Sequence, residues 1–508
     1  MTGEKEYKDV FELDGVPAFR EFYDFAIFPA KHIYRGLYTP WHVVPAPSIS
    51  DPKRTRTLYR MQLGKAVCAE LAGLIWSEGV KIDISDETLQ EFVTEILREN
   101  NFYTKMQEHI EQSAALGGGA IKEYVKYKRE NGQQVPGTEK IVLDYCMADQ
   151  FVPTAWDNAD VKEAIFVTRK AKDGYYYTRL EWHKWNGDTY IISNDLYQAP
   201  MKDSAGNNQD ILGYKYPLAY MYPDLQAVTK IDNLDKSLFA YYRTPVANNV
   251  DDNSPLGVSV YGNAFDTLHA LDICFDSFVR EFRLGKKRII VPAAAVRVVF
   301  DEKGTPRRYF DANDETYEAL ATDDPDKLKV QDNSVELRVE EHVAAINAFL
   351  SILCLQVGFS SGTFTFDLNS GLKTATEVIS ENSKTYKTIR NFQQQITPAI
   401  EKTVRNIIAL GALYGMTYDG KSIAELAAKD YEIQVSMEDA VLEDTNTKYD
   451  KGIKLVGAGL ISKRTALTDP AYGLCYTEEN ADKELEQIAK ESPVNAFVVD
   501  RFSTTGAE

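Results

Sequence analysis

From Thr374 onward the apolar residues Val378, Tyr386, Ile389, Phe392, Ile396, Ile400, Val404, Ile407, Ile408 and Leu410 keep to one face of a single helix for about forty residues. At ~1.5 Å per residue that is a rod of roughly 60 Å, and the rest of the 508-residue chain has to be arranged along it. Thr374-Ala-Thr-Glu377 opens the rod as a capping box: the Thr374 hydroxyl accepts from the backbone N–H of Glu377 while the Glu377 carboxylate reaches back to the cap. Pro398 removes one helical donor in the middle, which predicts a kink.

What precedes the rod is also helical. Val343 to Phe359 is the most apolar stretch of the chain, interrupted only by Asn347, Ser351 and Gln356. It is shorter than the roughly 20 residues a bilayer span needs, so it is expected to be a helix covered by protein on every side. Between it and the rod lies GFSSGTFTFDLNSGLK, a loop long enough to be expected to be functional. Upstream, Phe265, Leu268, Leu271, Phe275, Phe278 and Phe282 step by three or four residues, giving an amphipathic helix that ends in the basic cluster Lys286, Lys287 and Arg288. Between these two helices RIIVP, VRVVF and RRYF read as short strands, so a small β insert separates helices that return antiparallel.

The first 250 residues mix helices and strands in separate runs, an α+β pattern. One helix is expected from Arg56 to Trp76, a second after the cap signal ISDET, and a third that stops at Gly117, Gly118 and Gly119. The segments IKEYVKYK, KIVLDYC, EAIFVTRK, GYYYTRLEWHKW and DTYIISN then alternate like the strands of a meander. After Gly415 the pattern gives AELAAK as helix, YEIQVSMED as strand, a helical face at Tyr449, Ile453 and Val456, a helix capped by Ser462, and an acidic helix in TEENADKELEQIAKES.

The net charge of −19 argues against a surface coat of Lys and Arg for nucleic acid or anionic membrane, but not against DNA that passes without sticking. Five scattered cysteines, never in CxxC, suggest neither a disulfide framework nor a thiolate metal site. The amino terminus lacks the apolar run of a secretory signal, so a cytoplasmic start is expected. Residues Gly415 to Ser422, GMTYDGKS, satisfy the Walker A pattern. A helix precedes them instead of a strand and Asp419 would sit in the phosphate nest, so they read as a helix terminus followed by an Asp419-Gly420 turn. The six histidines are widely separated, and the stretch around Asp311 and Asn313 lacks the Gly and Glu of a calcium loop. No catalytic, cofactor-binding or metal-ligating set emerges, and an enzyme is not expected.

The order of these pieces resembles the portal proteins of tailed bacteriophages, the siphovirus-type head-to-tail connectors. The likeness covers nearly the whole chain, and its specific phrases are GKKRIIVP, GLKTATEVISENSKTYKTI and GAGLISKRTAL. It implies an α+β portal-like subunit of a ring, with residues 1–255 as the first part of the wing, 256–285 and 339–357 as stem helices, and 286–338 as the clip. Residues 358–374 become the tunnel loop, 375–440 the long kinked helix and its return to the wing, and 441–508 the crown and tail. The resemblance further implies a ring of twelve at one capsid vertex of the virion, assembled in a bacterial cytoplasm, through which double-stranded DNA is packaged and ejected. Its partners would be the terminase large subunit, a head-completion adaptor, and the major capsid and scaffold proteins, with no membrane involved. In that frame Thr363, Phe364, Thr365, Phe366 and Lys373 of the loop face the channel, and Lys286, Lys287 and Arg288 join stem to clip. Two other readings stand beside it: a structural or scaffold ring that binds no DNA, and a P-loop packaging ATPase built on Lys421.

Overall fold

Side chains that cap or clamp the backbone decide where the amino-terminal helices begin. The computed structural model describes residues 9–47, 51–76, 80–130, 133–135, 137–158, 160–202, 210–232, 234–284, 289–290, 297–300, 306–309, 331–332, 336–365, 375–437, 445–469, 472 and 478–491. Among them α1 spans Leu63–Trp76, α2 Glu87–Glu99 and α3 Phe102–Leu116. The Asp86 carboxylate caps α2 by accepting from the Leu89 N–H at 3.0 Å, as the ISDET signal predicts. The helix expected from Arg56 starts only at Leu63. Thr55–Thr57 instead pairs as a strand with Val43–Pro45. The cause is tertiary: Asp276 grips the Arg56 guanidinium with two bonds of 2.7 Å and accepts from the Tyr59 N–H at 3.1 Å, which overrides a weak local helical preference. At the end of α3, Gly117 takes φ +94°, and a Cβ there would lie 2.2 Å from the Gly257 carbonyl oxygen, so only glycine fits the turn into the next strand.

Two antiparallel sheets follow. The first is three-stranded, with β1 (Gly118–Lys126) between β2 (Lys140–Met147) and a later strand. The second is a meander: β3 (Phe151–Asp157), β4 (Asp160–Lys172), β5 (Tyr175–Asn186) and β6 (Thr189–Pro200) pair in sequence, and both β7 (Tyr214–Tyr216) and β8 (Val228–Asp232) pair with β6. Of the five strands expected to form one meander, IKEYVKYK and KIVLDYC lie instead in the first sheet, as β1 and β2. β9 (Phe239–Arg243) returns to β1 and completes the first sheet. Asp173 and Gly174, both at positive φ, form the tight turn between β4 and β5 that an Asp-Gly pair favours. Phe151, Phe166, Phe239 and Tyr241 pack with ring centroids 4.8–5.8 Å apart and form a shared aromatic core.

α4 (Phe265–Leu284) and α5 (Val339–Val357) bracket a strand-containing insert in which Ile289–Ile290 pairs with Gln331–Asp332 and Arg297–Phe300 with Pro306–Tyr309. α6 (Ala375–Leu413) is the predicted rod, and it stays helical through Pro398. Beyond it Ile433–Ser436 pairs antiparallel with Lys81–Ile84, so the chain returns to the amino-terminal region.

By internal contacts the chain divides into two units, Met1–Gly371 with Lys387–Met437, and Leu372–Tyr386 with Glu438–Glu508. The second unit holds the start of α6 together with α7 (Thr445–Gly457), α8 (Lys463–Thr468) and α9 (Glu478–Glu491). The Ser462 hydroxyl caps α8 by accepting from the Thr465 N–H at 3.0 Å, as expected, and Arg464 pairs with Asp482 to tie α8 to α9.

Candidate functional site

The segments singled out by sequence, the two bracketing helices, the loop after them and the long helix, meet largely in the first unit. The amino-terminal end of α5 lies beside the carboxyl-terminal end of α4: Arg338 pairs with Glu281 at 3.0 Å, and the His342 ring lies 5.3 Å from that of Phe278. The two helices therefore run antiparallel. α4 is held on its other side by the Arg56–Asp276 clamp and by Asp272, which accepts from the Met61 N–H at 2.8 Å and lies 3.0 Å from His42 Nε2. Arg56 holds the Asp276 carboxyl below the usual carboxylate range.

α5 departs from the expectation that protein covers it on every side. Within one chain it buries Ile346, Leu350, Leu353, Cys354 and Val357, whereas Ile352 is 43% and Leu355 66% exposed. On α4, Ile273 and Phe282 are exposed as well. A single chain supplies neighbours for only one face of this helix, and Ile352 and Leu355 lie outside that face.

The loop after α5 begins as folded structure. Gly358 ends the helix at φ +88°, and its carbonyl accepts from the Thr388 hydroxyl of α6 at 2.7 Å. Phe359 and Ser360 are buried. Thr363 donates through both its N–H and its hydroxyl to the Ser360 carbonyl, at 3.3 and 2.8 Å, and the Phe364 ring packs edge-on against Phe359 at 5.6 Å. Thr365 is exposed. Phe366, Lys373 and Thr374 lie outside the described residues, as do Lys286, Lys287, Arg288 and the side chain of Glu377. α6 begins at Ala375, the residue after the predicted Thr374 cap.

Further along, α6 locks onto the first sheet through a polar contact that sequence reading missed. Asn406 Nδ2 donates to Glu123 Oε2 at 2.8 Å and to the Ser237 carbonyl at 3.1 Å, and Lys402 Nζ donates to the Ser237 hydroxyl at 2.9 Å. Glu123 is fully buried, and burial pushes its carboxyl up to about 7 against the opposing hydrogen bond from Asn406. Its neighbour Lys122 points to the other face of β1, toward Glu181 on β5 at 2.8 Å. Burial acts against the Lys122 ammonium, but the charge and hydrogen bond of Glu181 together with the charges of Cys146 and Asp144 outweigh it and raise the pKa.

The Walker-like stretch is a hairpin. Thr417–Tyr418 pairs with Lys421–Ser422 around a turn in which Asp419 and Gly420 both take positive φ, while Gly415 at φ +60° closes α6. Lys421 Nζ donates to the Thr88 hydroxyl at 2.8 Å, so it serves a packing contact and not a phosphate nest. Three buried histidines are each satisfied internally; His109, bonded to the Cys146 carbonyl and to the Tyr242 hydroxyl, is lowered to about 4 by burial. Among the described residues no cluster suits a metal ion, and no helix is long and apolar enough to cross a membrane.

The family described as "Phage portal protein, SPP1 Gp6-like" matches residues 49–494. Comparison with curated proteins finds no match. Among solved structures, a chain from the neck of an empty GTA particle, computed with C6 symmetry, aligns at 11% identity and a TM-score of 0.41, covering 82% of this chain and 90% of its own. A chain from the virion of a native gene transfer agent particle aligns at 10% identity and a TM-score of 0.37, with the same 82% and 90% coverage.

Proposed function

The chain belongs to the SPP1 Gp6-like phage portal protein family, and we propose that it works as one of twelve copies in a ring that carries double-stranded DNA through a capsid vertex. It is a virion protein of the portal vertex, with an α+β fold. The role in this reading is structural: the ring docks a terminase during packaging and afterwards a head-completion adaptor, and it contacts capsid and scaffold proteins at its rim. The observation that carries the ring is the half-covered helix α5. Burying Ile352 and Leu355 against a second copy removes apolar surface from water at about 25 cal/mol per Å², and a heterologous contact of this kind closes into a ring when its rotation allows.

A carboxylate at that contact is the direct test. Leu355→Asp is expected to leave the single chain folded, because residue 355 faces solvent there, while abolishing rings in electron micrographs. Normal ring assembly by the Leu355→Asp variant would remove α5 from the interface.

The loop between α5 and α6 is the part we assign to DNA. In this reading Thr365, Phe366 and Lys373 extend beyond the Ser360–Thr363 turn toward the channel, and the lysines touch phosphates weakly as screened point charges. Most of the pore surface then stays acidic, which favours sliding over binding. Lys373→Glu is expected to reduce the yield of full-length packaged genomes without changing ring assembly or adaptor binding. Normal packaging by that variant would rule the contact out.

A further inference from the structure

Among the described residues two strands stand at the edge of their sheets, and α2 meets them both. Lys81–Ile84 pairs with Ile433–Ser436 on one side, where the Ser85 N–H also reaches the Glu432 carbonyl at 3.1 Å. β2 pairs with β1 on one side and ends the three-stranded sheet. An edge strand presents a row of N–H and C=O groups that a strand of another molecule can take. In β2 that row belongs to Ile141, Val142 and Leu143, an apolar run of high β propensity.

On each strand a side-chain carboxamide meets the row. Gln90 Oε1 accepts from the Ile84 N–H at 2.7 Å while its Nε2 donates to the Ile82 carbonyl at 2.9 Å. Asn100 Oδ1 accepts from the Leu143 N–H at 3.0 Å while its Nδ2 donates to the Ile141 carbonyl at 3.0 Å. The pattern is the same twice: the carbonyl of one residue and the N–H of the residue two further on, the pair that one residue of a parallel neighbouring strand would bond. Each carboxamide also bonds its own helical segment, Gln90 Nε2 to the Thr94 hydroxyl at 3.3 Å and Asn100 Nδ2 to the Ile96 carbonyl at 2.9 Å. The amides are thus anchored at both ends. Lys140 adds an ion pair with Glu99 at 3.1 Å, which brings the end of α2 to the start of β2.

We propose that α2 is an edge plug: the carboxamides of Gln90 and Asn100 occupy the places of a further strand and keep both sheets from adding a strand of a second copy of this chain. Water could satisfy the same four backbone groups. A side chain anchored to a helix, in addition, denies them to another strand, which water does not. The plug acts in any encounter between copies, so it stands or falls apart from the proposed ring.

The test compares the full-length wild type with the double variant Gln90→Met, Asn100→Leu, which keeps side-chain size and removes both carboxamides. In freshly purified protein, hydrogen exchange resolved to single amides is expected to be at least about tenfold faster at Ile84 and Leu143 in the variant, because those N–H groups lose their acceptors. On incubation at a concentration where the wild type stays clear, the variant is expected to form aggregates that bind thioflavin T, while the amides of β4 and β5 keep their wild-type protection. The variant Gln90→Glu, Asn100→Asp loses the same two donors but leaves a charge at each edge, so it is expected to stay clear. If the first variant does not fold, Gln90→Met and Asn100→Leu carry the comparison singly, each at its own strand. Unchanged exchange at Ile84 and Leu143, or no aggregates, overturns the proposal. Equal aggregation by the Glu and Asp variant, or aggregation only after β4 and β5 lose protection, also overturns it, since destabilisation and not an opened edge would then be the cause.

Discussion

Glu123 shows how much a single buried group can contribute to the joint between helix and sheet. One carboxylate oxygen accepts from Asn406, and the Thr403 hydroxyl lies beside the other. Burial penalises the charge by more than these two contacts stabilise it, so the neutral acid suits the site better than the anion. The folded value of about 7 lies above the 4.5 of the unfolded chain. The folded state therefore binds the proton more tightly, and the stability this gives is fully present below pH 4.5 and lost as the pH rises through 7, for a total of about 3 kcal/mol. Glu123→Gln keeps the acceptor and supplies a permanent donor. It is expected to raise the melting temperature at pH 8 while leaving it nearly unchanged at pH 5, as read by circular dichroism. A variant melting lower than the wild type at pH 8 would show that the anion is the form the joint needs. Little of this was legible beforehand. The alternation in IKEYVKYK identifies a strand, but it assigns one face to solvent, whereas β1 lies between layers and buries Lys122 and Glu123 on opposite faces. Their partners, Glu181 and Asn406, are remote in sequence, and periodicity carries no information about them.

At the scale of elements, local chemistry was the better guide. Asp86, Ser462, Gly117 and Gly415 each end or begin a helix where their side-chain or backbone preference says they should, because a cap is decided within four residues. The segment from Arg56 went the other way, since its fate depends on Asp276 more than two hundred residues later. Pro398 removes the donor that would bond the Gln394 carbonyl, yet α6 continues and buries Ile396 and Ile400 on either side. Pro398→Ala restores that bond and is expected to raise thermal stability, interior proline costing up to about 3 kcal/mol in a helix. If the kink expected at Pro398 routes the chain correctly for assembly, the same variant forms fewer rings in micrographs despite its better helix. Normal ring yield would show that assembly does not depend on Pro398.

The whole molecule reads as a subunit more than as a finished object. In the proposed ring its net charge of −19 would disfavour adhesion of phosphates, and the exposed residues of α5 would meet a neighbouring copy. The sequence could show that α5 is too apolar for solvent; only the fold shows which residues, Ile352 and Leu355, are left over. Electron microscopy of the purified full-length chain is the most direct measurement. The account predicts rings with a central opening wide enough for duplex DNA, and it is contradicted by particles that remain single subunits at every concentration or that assemble without a central opening.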